Sequence, residues 1–274
     1  METQSSSRRE TEQASPPPEK KTTFAYKIVR FLVWLFYPKT KVLGAENLPG
    51  EPCILVANHA QMHGPIAGEL YFPGYHYIWC AGEMMRWKDV PGYAFRDFWS
   101  QKPRWTHWFY RILSYLITPL AVCIFNNAHC IGVWRDSRIL STFRETLEKL
   151  KEGNSVIIFP EHDVPLNNIV YEFQERFIGI ARTYYRRTGK KLSFVPLYFA
   201  PALKTMTVGT PLPYDPEADP QEEMHRLCQA LTEAVTELGR NLPEHTVVPY
   251  RNIPRKKWLS NHSSEVPEHE KTNR

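Results

Sequence analysis

Residues 53–59 read CILVANH, a run of apolar and partly β-branched residues that ends in two polar ones. A short apolar run of this kind predicts a buried strand, which we place at Cys53–Asn58. Pro65 suits the first turn of a helix, so a helix is predicted at Pro65–Phe72. A buried strand that leads directly into a helix is the repeating unit of an α/β fold.

The remainder of the chain alternates in the same way. Further strands are predicted at Tyr75–Ala81, Cys130–Trp134, Ser155–Phe159, Phe194–Phe199 and Met206–Val208. Further helices are predicted at Phe24–Tyr37, Trp105–Leu116, Ser137–Lys151, Val170–Arg187 and Glu222–Leu238. The pattern predicts an α/β fold with a mixed, largely parallel central sheet flanked by helices, preceded by an apolar, amphipathic N-terminal helix.

The composition suits one domain with polar tails. Of 274 residues, 42% are hydrophobic and 23% charged, which excludes disorder throughout the chain. We expect a disordered polar tail over residues 1–22, a domain over 23–250 and a polar tail over 251–274. Pro196 lies inside a predicted strand, which is unusual except at a sheet edge or a bulge.

The five cysteines have no C-x-x-C spacing, and three of them lie in apolar runs. This usage is typical of reduced thiols in a cytosolic protein and not of disulfides or a zinc site. The polar start of the chain does not resemble a secretory signal. The longest apolar runs, Ile28–Tyr37 and Ile112–Phe125, are shorter than the roughly 20 residues that a membrane-spanning helix needs.

Basic residues accompany the apolar N-terminal segment. Six Lys or Arg and no acid lie between Lys20 and Ala45. Apolar rings beside cations favour docking to anionic lipid, so we expect residues 24–37 to bind the cytoplasmic face of a membrane as a peripheral or monotopic element. Packing of this helix on the core is the alternative. Nucleic-acid binding fits poorly, because the cations accompany long apolar runs and no binding motif is present.

Polar side chains follow two of the predicted strands. Asn58 and His59 end the first, and a histidine at a strand end is well placed to act as a general base. Pro160, Glu161 and His162 follow the strand Ser155–Phe159. A structural histidine and a plain turn are the alternatives at these two places.

A third candidate lies after the strand that contains Gly132. Arg135 and Arg138 follow this strand, and a guanidinium matches the geometry of phosphate oxygens. Two surface arginines at the start of a helix are the alternative.

The order of these motifs resembles that of the glycerolipid acyltransferases, whose best-known members are lysophosphatidate acyltransferases. The matching segments, over roughly residues 24–240, are Asn58-His59, Gly132 to Arg135, Phe159-Pro160-Glu161 and Val195-Pro196. Two residues depart from the family. Gly64 stands where the H-x4-D motif has Asp, and His162 stands where the third motif has Gly.

The resemblance implies transfer of an acyl group from acyl-CoA or acyl carrier protein to a hydroxyl of a lysophospholipid or glycerol phosphate, as in phospholipid biosynthesis. His59 would be the general base, with Glu161 as a second catalytic residue. Asn58, Arg135, Arg138, Pro160 and His162 would bind substrate, and no metal or other cofactor is implied.

Gly64 leaves several interpretations open. Glu83, Glu161 or Asp163 could replace the missing Asp, or His63 could act in a different geometry. The domain could instead be an inactive, lipid-binding peripheral membrane protein. His59 and His63 could also join Glu161, His162 and Asp163 around a hydrolytic metal ion, although the predicted helix begins after both histidines.

Overall fold

The structure is a computed structural model that describes residues 22–166 and 168–263, with the backbone alone at 163–166. Most of the predicted N-terminal tail (1–21) and the end of the C-terminal tail (264–274) lie outside the described residues. The strands are β1 (Lys41–Leu43), β2 (Cys53–Ala57), β3 (His76–Ala81), β4 (Cys130–Val133), β5 (Ser155–Ile158), β6 (Glu161–Leu166), β7 (Tyr171–Phe173), β8 (Ser193–Ala200), β9 (Thr205–Val208) and β10 (Leu212–Pro213). The helices are α1 (Phe24–Phe36), α2 (His63–Tyr71), α3 (Val90–Ala94), α4 (His107–Leu116), α5 (Thr118–Asn127), α6 (Ile139–Lys151), α7 (Gly179–Thr188) and α8 (Pro220–Arg240).

The central sheet is mixed and mostly parallel, which confirms the predicted fold class. Its strand order is β1-β9-β8-β2-β5-β3-β4, and β10 pairs with the start of β8. Only the β8–β9 and β8–β10 pairings in this sheet are antiparallel among the described strands. The parallel strands therefore direct their carboxyl ends to one edge, where α/β proteins form their sites.

Side chains of β2 alternate between two apolar layers. Ile54 and Val56 pack into the layer covered by α6, α7 and α8, whereas Leu55 and Ala57 pack into the layer covered by α2. All five residues of β2 are buried because helices cover both faces of the sheet. Burial of each large side chain contributes about 1.5–3 kcal/mol.

The helix predicted at Val170–Arg187 is wrong in its first half. Tyr171 and Phe173 are buried and Glu172 is exposed, a period of two that belongs to strand β7. This strand pairs with β6 in an antiparallel hairpin, so Glu161 begins a strand where a turn was expected. Helix α7 begins only at Gly179, after a 3-10 turn.

Helix α2 begins at His63, two residues before the predicted start, so His63 lies in its first turn. Pro196 is accommodated inside β8 because it lies where one neighbouring strand ends and another begins. Leu197 pairs with β9 and Phe194 with β10, and Pro196 falls in the gap between these pairings.

The described part of the predicted C-terminal tail packs against the domain. Thr246 and Ser260 form a β-bridge, and Asn261 Oδ1 accepts a 2.9 Å hydrogen bond from the amide of His245. The segment between them returns as a loop, with Trp258 packed against the apolar layer below α2. The five cysteines, all within the described residues, are not joined in disulfides.

Candidate active site

Asn58 fixes the end of β2 against β8. Its side-chain amide donates to the carbonyl of Phe199 at 3.0 Å, and its Oδ1 accepts from the amide of Phe199 at 2.7 Å. Asn58 is buried and both polar groups are satisfied by this one backbone. The geometry therefore gives Asn58 the role of setting the direction in which the chain leaves the strand, and its burial keeps the side chain away from the surface.

The imidazole of His59 is held by the chain itself. Its Nδ1 is hydrogen-bonded to the carbonyl oxygen of Gln61. A carbonyl oxygen only accepts, so Nδ1 carries the proton and Nε2 keeps its lone pair. Within the described residues Nε2 makes no hydrogen bond. The ring is half-buried between Phe159 and Tyr250, with centroids 4.9 and 5.4 Å away.

Two consecutive left-handed residues produce this contact. Ala60 has φ 46° and Gln61 has φ 54°, conformations that cost a residue with a Cβ about 1–2 kcal/mol each. The turn directs the Gln61 carbonyl back toward the ring that precedes it. Strain of this kind concentrates at functional sites, where the surrounding structure enforces it.

Glu161 holds the backbone beside the imidazole. One carboxylate oxygen accepts from the amide of His59, and the other accepts from the amide of Tyr171 at 3.1 Å. The carboxylate is buried, and burial raises the pKa of Glu161 to about 7 against the lowering effect of these two amides. Both oxygens are committed to backbone, so Glu161 positions His59 and does not orient its ring.

Gly64 closes the same loop from the other side. Its amide donates to the carbonyl of His59 at 3.2 Å, and a Cβ placed on it would lie 2.6 Å from that oxygen and 3.0 Å from Phe159. Gly64, where the resemblance led us to expect an Asp, thus has no room for a side chain in this conformation of the loop. The Gln61 carbonyl takes the place of a carboxylate on Nδ1.

Burial lowers the pKa of His59 to about 4, although the Gln61 carbonyl acts in the opposite direction. The ring is therefore neutral across the physiological range, with a free lone pair on Nε2. His63 points elsewhere: its Nδ1 lies 3.2 Å from the hydroxyl of Tyr37, and burial followed by the charge of Arg255 lowers its pKa.

The two arginines differ in their freedom. Arg138 forms a bidentate pair with Asp136, at 2.6 Å for its shortest contact, and lies 3.8 Å above the ring of Trp134. Arg135 is exposed and forms no ion pair among the described residues. Of the two, Arg135 is the one whose guanidinium is available to an anion.

Two tyrosines connect the surroundings of Arg135 with those of His59. Burial and then Asp97 raise the pKa of Tyr93, which lies within electrostatic range of Arg135, Tyr250 and Glu83 as well. Tyr250 in turn packs on His59. Tyr93 and Tyr250 thus lie between the guanidinium of Arg135 and the imidazole of His59. Glu83 is nearby but makes no hydrogen bond to His59 in the described structure.

The third motif contributes mainly to the fold. Pro160 is buried, and its carbonyl accepts from the amide of Gln174 at 2.9 Å across the base of the hairpin. His162 is exposed next to Glu161. The side chain of Asp163 lies outside the described residues. Within those residues no group of three His, Cys, Asp or Glu is placed to hold a metal ion.

The structure adds residues that the sequence pattern did not indicate. Tyr250 comes from the far end of the chain, and the cations Arg251, Arg255, Lys256 and Lys257 lie in the loop that carries it. Arg255 acts on the nearby His63. The run of basic residues could have indicated from the sequence that this loop binds anions. A single tyrosine forms no pattern, so nothing in the sequence could have pointed to Tyr250.

Comparison with solved structures finds six chains of similar structure. No family model matches the chain, and neither does any curated protein. The fold is similar to that of a solved structure, the 1-acyl-sn-glycerophosphate (LPA) acyltransferase PlsC from Thermotoga maritima. The TM-score is 0.45 and the identity 20%, over 80% of this chain and 81% of that one. A likeness at this level carries no argument about function.

Proposed function

We propose that this protein is an O-acyltransferase that moves a fatty acyl group from an acyl thioester to a hydroxyl of a lysophospholipid or glycerol phosphate. The observation that carries the proposal is the imidazole of His59, held at the end of β2 with its Nδ1–H engaged and its Nε2 lone pair unused. The order of motifs in the sequence supports the same chemistry.

In the proposed reaction His59 Nε2 removes the hydroxyl proton as that oxygen attacks the thioester carbonyl. The tetrahedral intermediate then collapses, the C–S bond breaks, and the imidazolium returns the proton to the leaving thiolate. The Gln61 carbonyl orients the ring throughout and accepts from Nδ1–H of the imidazolium. No metal or redox cofactor takes part in these steps.

A carbonyl dipole stabilises an imidazolium less than a carboxylate does, because it carries no net charge. Burial, which the Gln61 carbonyl offsets only in part, leaves the pKa of His59 at about 4. We therefore expect slower transfer than a His–Asp pair would give, since general-base catalysis typically contributes 10²–10⁴-fold and depends on the pKa of the base.

Arg135 is the proposed ligand of the acceptor phosphate, because its guanidinium is free while that of Arg138 is paired with Asp136. His162, exposed beside Glu161, would border the acceptor, whereas Pro160 is buried and would shape the site only through the backbone. The loop with Arg255, Lys256 and Lys257 is the proposed contact for phosphates of the donor, either acyl-CoA or acyl carrier protein. Cations near a cleft raise the local concentration of anionic substrates.

Helix α1 is the proposed membrane contact that brings the enzyme to its lipid substrate. Phe24, Phe31 and Phe36 on this helix are more than half exposed, and Lys27 and Arg30 lie among them. The same features suit the second candidate function, an inactive lipid-binding protein at the cytoplasmic face of a membrane. The absence of room for a carboxylate at Gly64 is the observation that favours this alternative.

The experiment supplies labelled acyl-CoA or acyl carrier protein with lysophosphatidate, glycerol 3-phosphate or other lysolipids. His59→Ala should lower kcat by about 10²–10⁴, and Arg135→Ala should mainly raise KM for a phosphate-bearing acceptor. His225→Ala, at an exposed histidine of α8, is the matched control. Equal turnover in wild type and His59→Ala would remove the base assignment, and wild type without turnover on any acceptor would favour the inactive alternative.

A further inference from the structure

Helix α4 and the turn before it present their large apolar side chains to the outside. The exposed fractions run from 50% to 79% for Trp105, Trp108, Phe109, Ile112, Tyr115 and Leu116. Their spacing of three and four residues places them on one face of a helix. The fully buried side chain of α4 is instead Ser114, whose hydroxyl donates to a backbone carbonyl at 2.6 Å.

This arrangement is the reverse of a helix on a water-soluble protein, where the apolar stripe faces the core and polar groups face water. Contiguous exposed apolar surface of this kind marks an interaction site. Both α1 and α4 pack against α5, and Leu120 of α5 is half exposed as well. Helix α1 is tied down through Tyr26, which is buried and donates to Glu69 at 2.8 Å.

The charged residues of α4 and of the stretch that leads directly into it are basic, and the nearest preceding acid is Asp97 in the segment Phe95–Trp99, which packs against α4. No Asp or Glu occurs between Asp97 and Asp136 in the sequence. Lys102, Arg104 and Arg111 are exposed along and just before the helix. Indole and phenol rings favour the boundary between water and lipid, and cations there attract anionic head groups.

Among the described residues no single helix is long and apolar enough to span a membrane; one bent pair, 104–116 with 118–127, passes by length and composition, with 45° between its halves. The ten residues of α4 rise about 15 Å, roughly half the thickness of a hydrocarbon core. This length suits a helix that lies in the interface.

We infer that α4 is a second membrane-docking element, which embeds its aromatic face in the interfacial region of an anionic bilayer beside α1. The partner is a lipid surface, because the rings are interfacial in character and the charged residues along the helix, Lys102, Arg104 and Arg111, are basic. The inference does not require acyl transfer, since it concerns a surface built by α4 and not the chemistry at His59.

The test measures flotation of the full chain with vesicles of phosphatidylcholine, with and without phosphatidylglycerol. Trp108→Gln with Ile112→Gln should weaken binding by about tenfold or more, because both side chains would leave the lipid. Leu140→Gln is the matched control, since Leu140 is 68% exposed on α6 and lies outside this surface. Arg104→Gln with Arg111→Gln should reduce the preference for phosphatidylglycerol vesicles.

A second variant tests the contribution of α1 to vesicle binding separately from that of α4. Phe31→Gln with Leu35→Gln should weaken binding in its own right, and combining the two sets should weaken it further. Unchanged vesicle binding in the α4 variant, with α1 alone responsible, would overturn the inference. So would a wild-type dimer in lipid-free buffer that the α4 variant converts to monomers while vesicle binding persists, because a second copy would then be the occupant.

Discussion

A Cβ atom on Gly64 would lie 2.6 Å from the carbonyl oxygen of His59, while the Gly64 amide donates to that oxygen at 3.2 Å. The first turn of α2 thus closes directly on the backbone of the proposed base. A side chain at this position cannot reach the imidazole without opening the loop that holds it.

Gly64→Asp should therefore harm the protein and not repair a catalytic dyad. We expect a loss of about 1–3 kcal/mol in the free energy of unfolding from overpacking against backbone, together with loss of transfer activity. Gly50→Asp is the matched control, because a Cβ at Gly50 meets nothing within 4 Å. Chemical denaturation and acyl-transfer assays make the measurement, and a Gly64→Asp variant with normal stability and raised activity would contradict the loop geometry.

Gln61 acts through its backbone, so changes of its side chain should be tolerated. Gln61→Gly removes about 1–2 kcal/mol of left-handed strain against an entropic cost of about 0.5–1 kcal/mol, so stability should be equal or slightly higher. Gln61→Pro cannot adopt the positive φ and should abolish transfer. A thermal unfolding series with kcat for each variant tests this. Retained activity in Gln61→Pro would show that the carbonyl contact is dispensable.

Glu161→Gln should leave one backbone amide without an acceptor, because an amide side chain offers one acceptor oxygen where the carboxyl group, protonated or not, offers two. The expected cost is about 1–3 kcal/mol of stability with kcat reduced as His59 loses its support. Glu217→Gln, at an exposed carboxylate, is the control and should change stability by less than about 0.5 kcal/mol.

The cost of Glu161→Gln should also depend on pH. The folded pKa of Glu161, about 7, lies above the unfolded value of about 4.3, so the folded state binds more protons between these values. The stability that comes from proton binding by Glu161 in the folded state is complete below pH 4.3 and is lost as the pH rises through 7. The difference between wild type and Glu161→Gln should therefore be larger at pH 5 than at pH 8. Urea denaturation at both values makes the comparison, and a difference that is constant or larger at pH 8 would refute it.

The acid limb of the pH–activity profile should lie at low pH. Burial holds the pKa of His59 near 4 in the folded protein, below the ordinary value of about 6.5, so Nε2 stays unprotonated until well into the acid range. The profile of kcat/KM against pH, which reports the free enzyme, should retain activity at pH 6 and fall toward pH 4. Circular dichroism at each pH separates this limb from acid unfolding. Because Glu161 itself has a pKa of about 7, the profile is also measured in Glu161→Gln; a midpoint at 6.5 or above that persists in this variant would mean that the ring is solvated or paired with an acid.

The strands were predictable wherever burial on both faces leaves a continuous apolar run, as in Cys53–Ala57 and Ser155–Ile158. The prediction of a helix over 170–187 was wrong at its start because the apolar residues Tyr171 and Phe173 also fit the apolar pattern of the helix that follows, α7. Their strand exists only because β6 lies beside it to accept pairing. The pairing of β6 with β7 depends on both segments, and it cannot be predicted from the sequence of either segment alone.

The sequence by itself determined the alternating order of strands and helices and the position of a histidine at a strand end. Buried strands and helix starts each depend on a short stretch of sequence, so local patterns are enough to predict them. Only the tertiary structure decided what that histidine touches. The carbonyl on Nδ1 depends on a left-handed turn at Ala60 and Gln61, which neither residue type favours, and the ring of Tyr250 comes from a distant loop. Contacts of this kind arise from packing across the whole chain, where the gain from burying many groups outweighs the local preferences of a few.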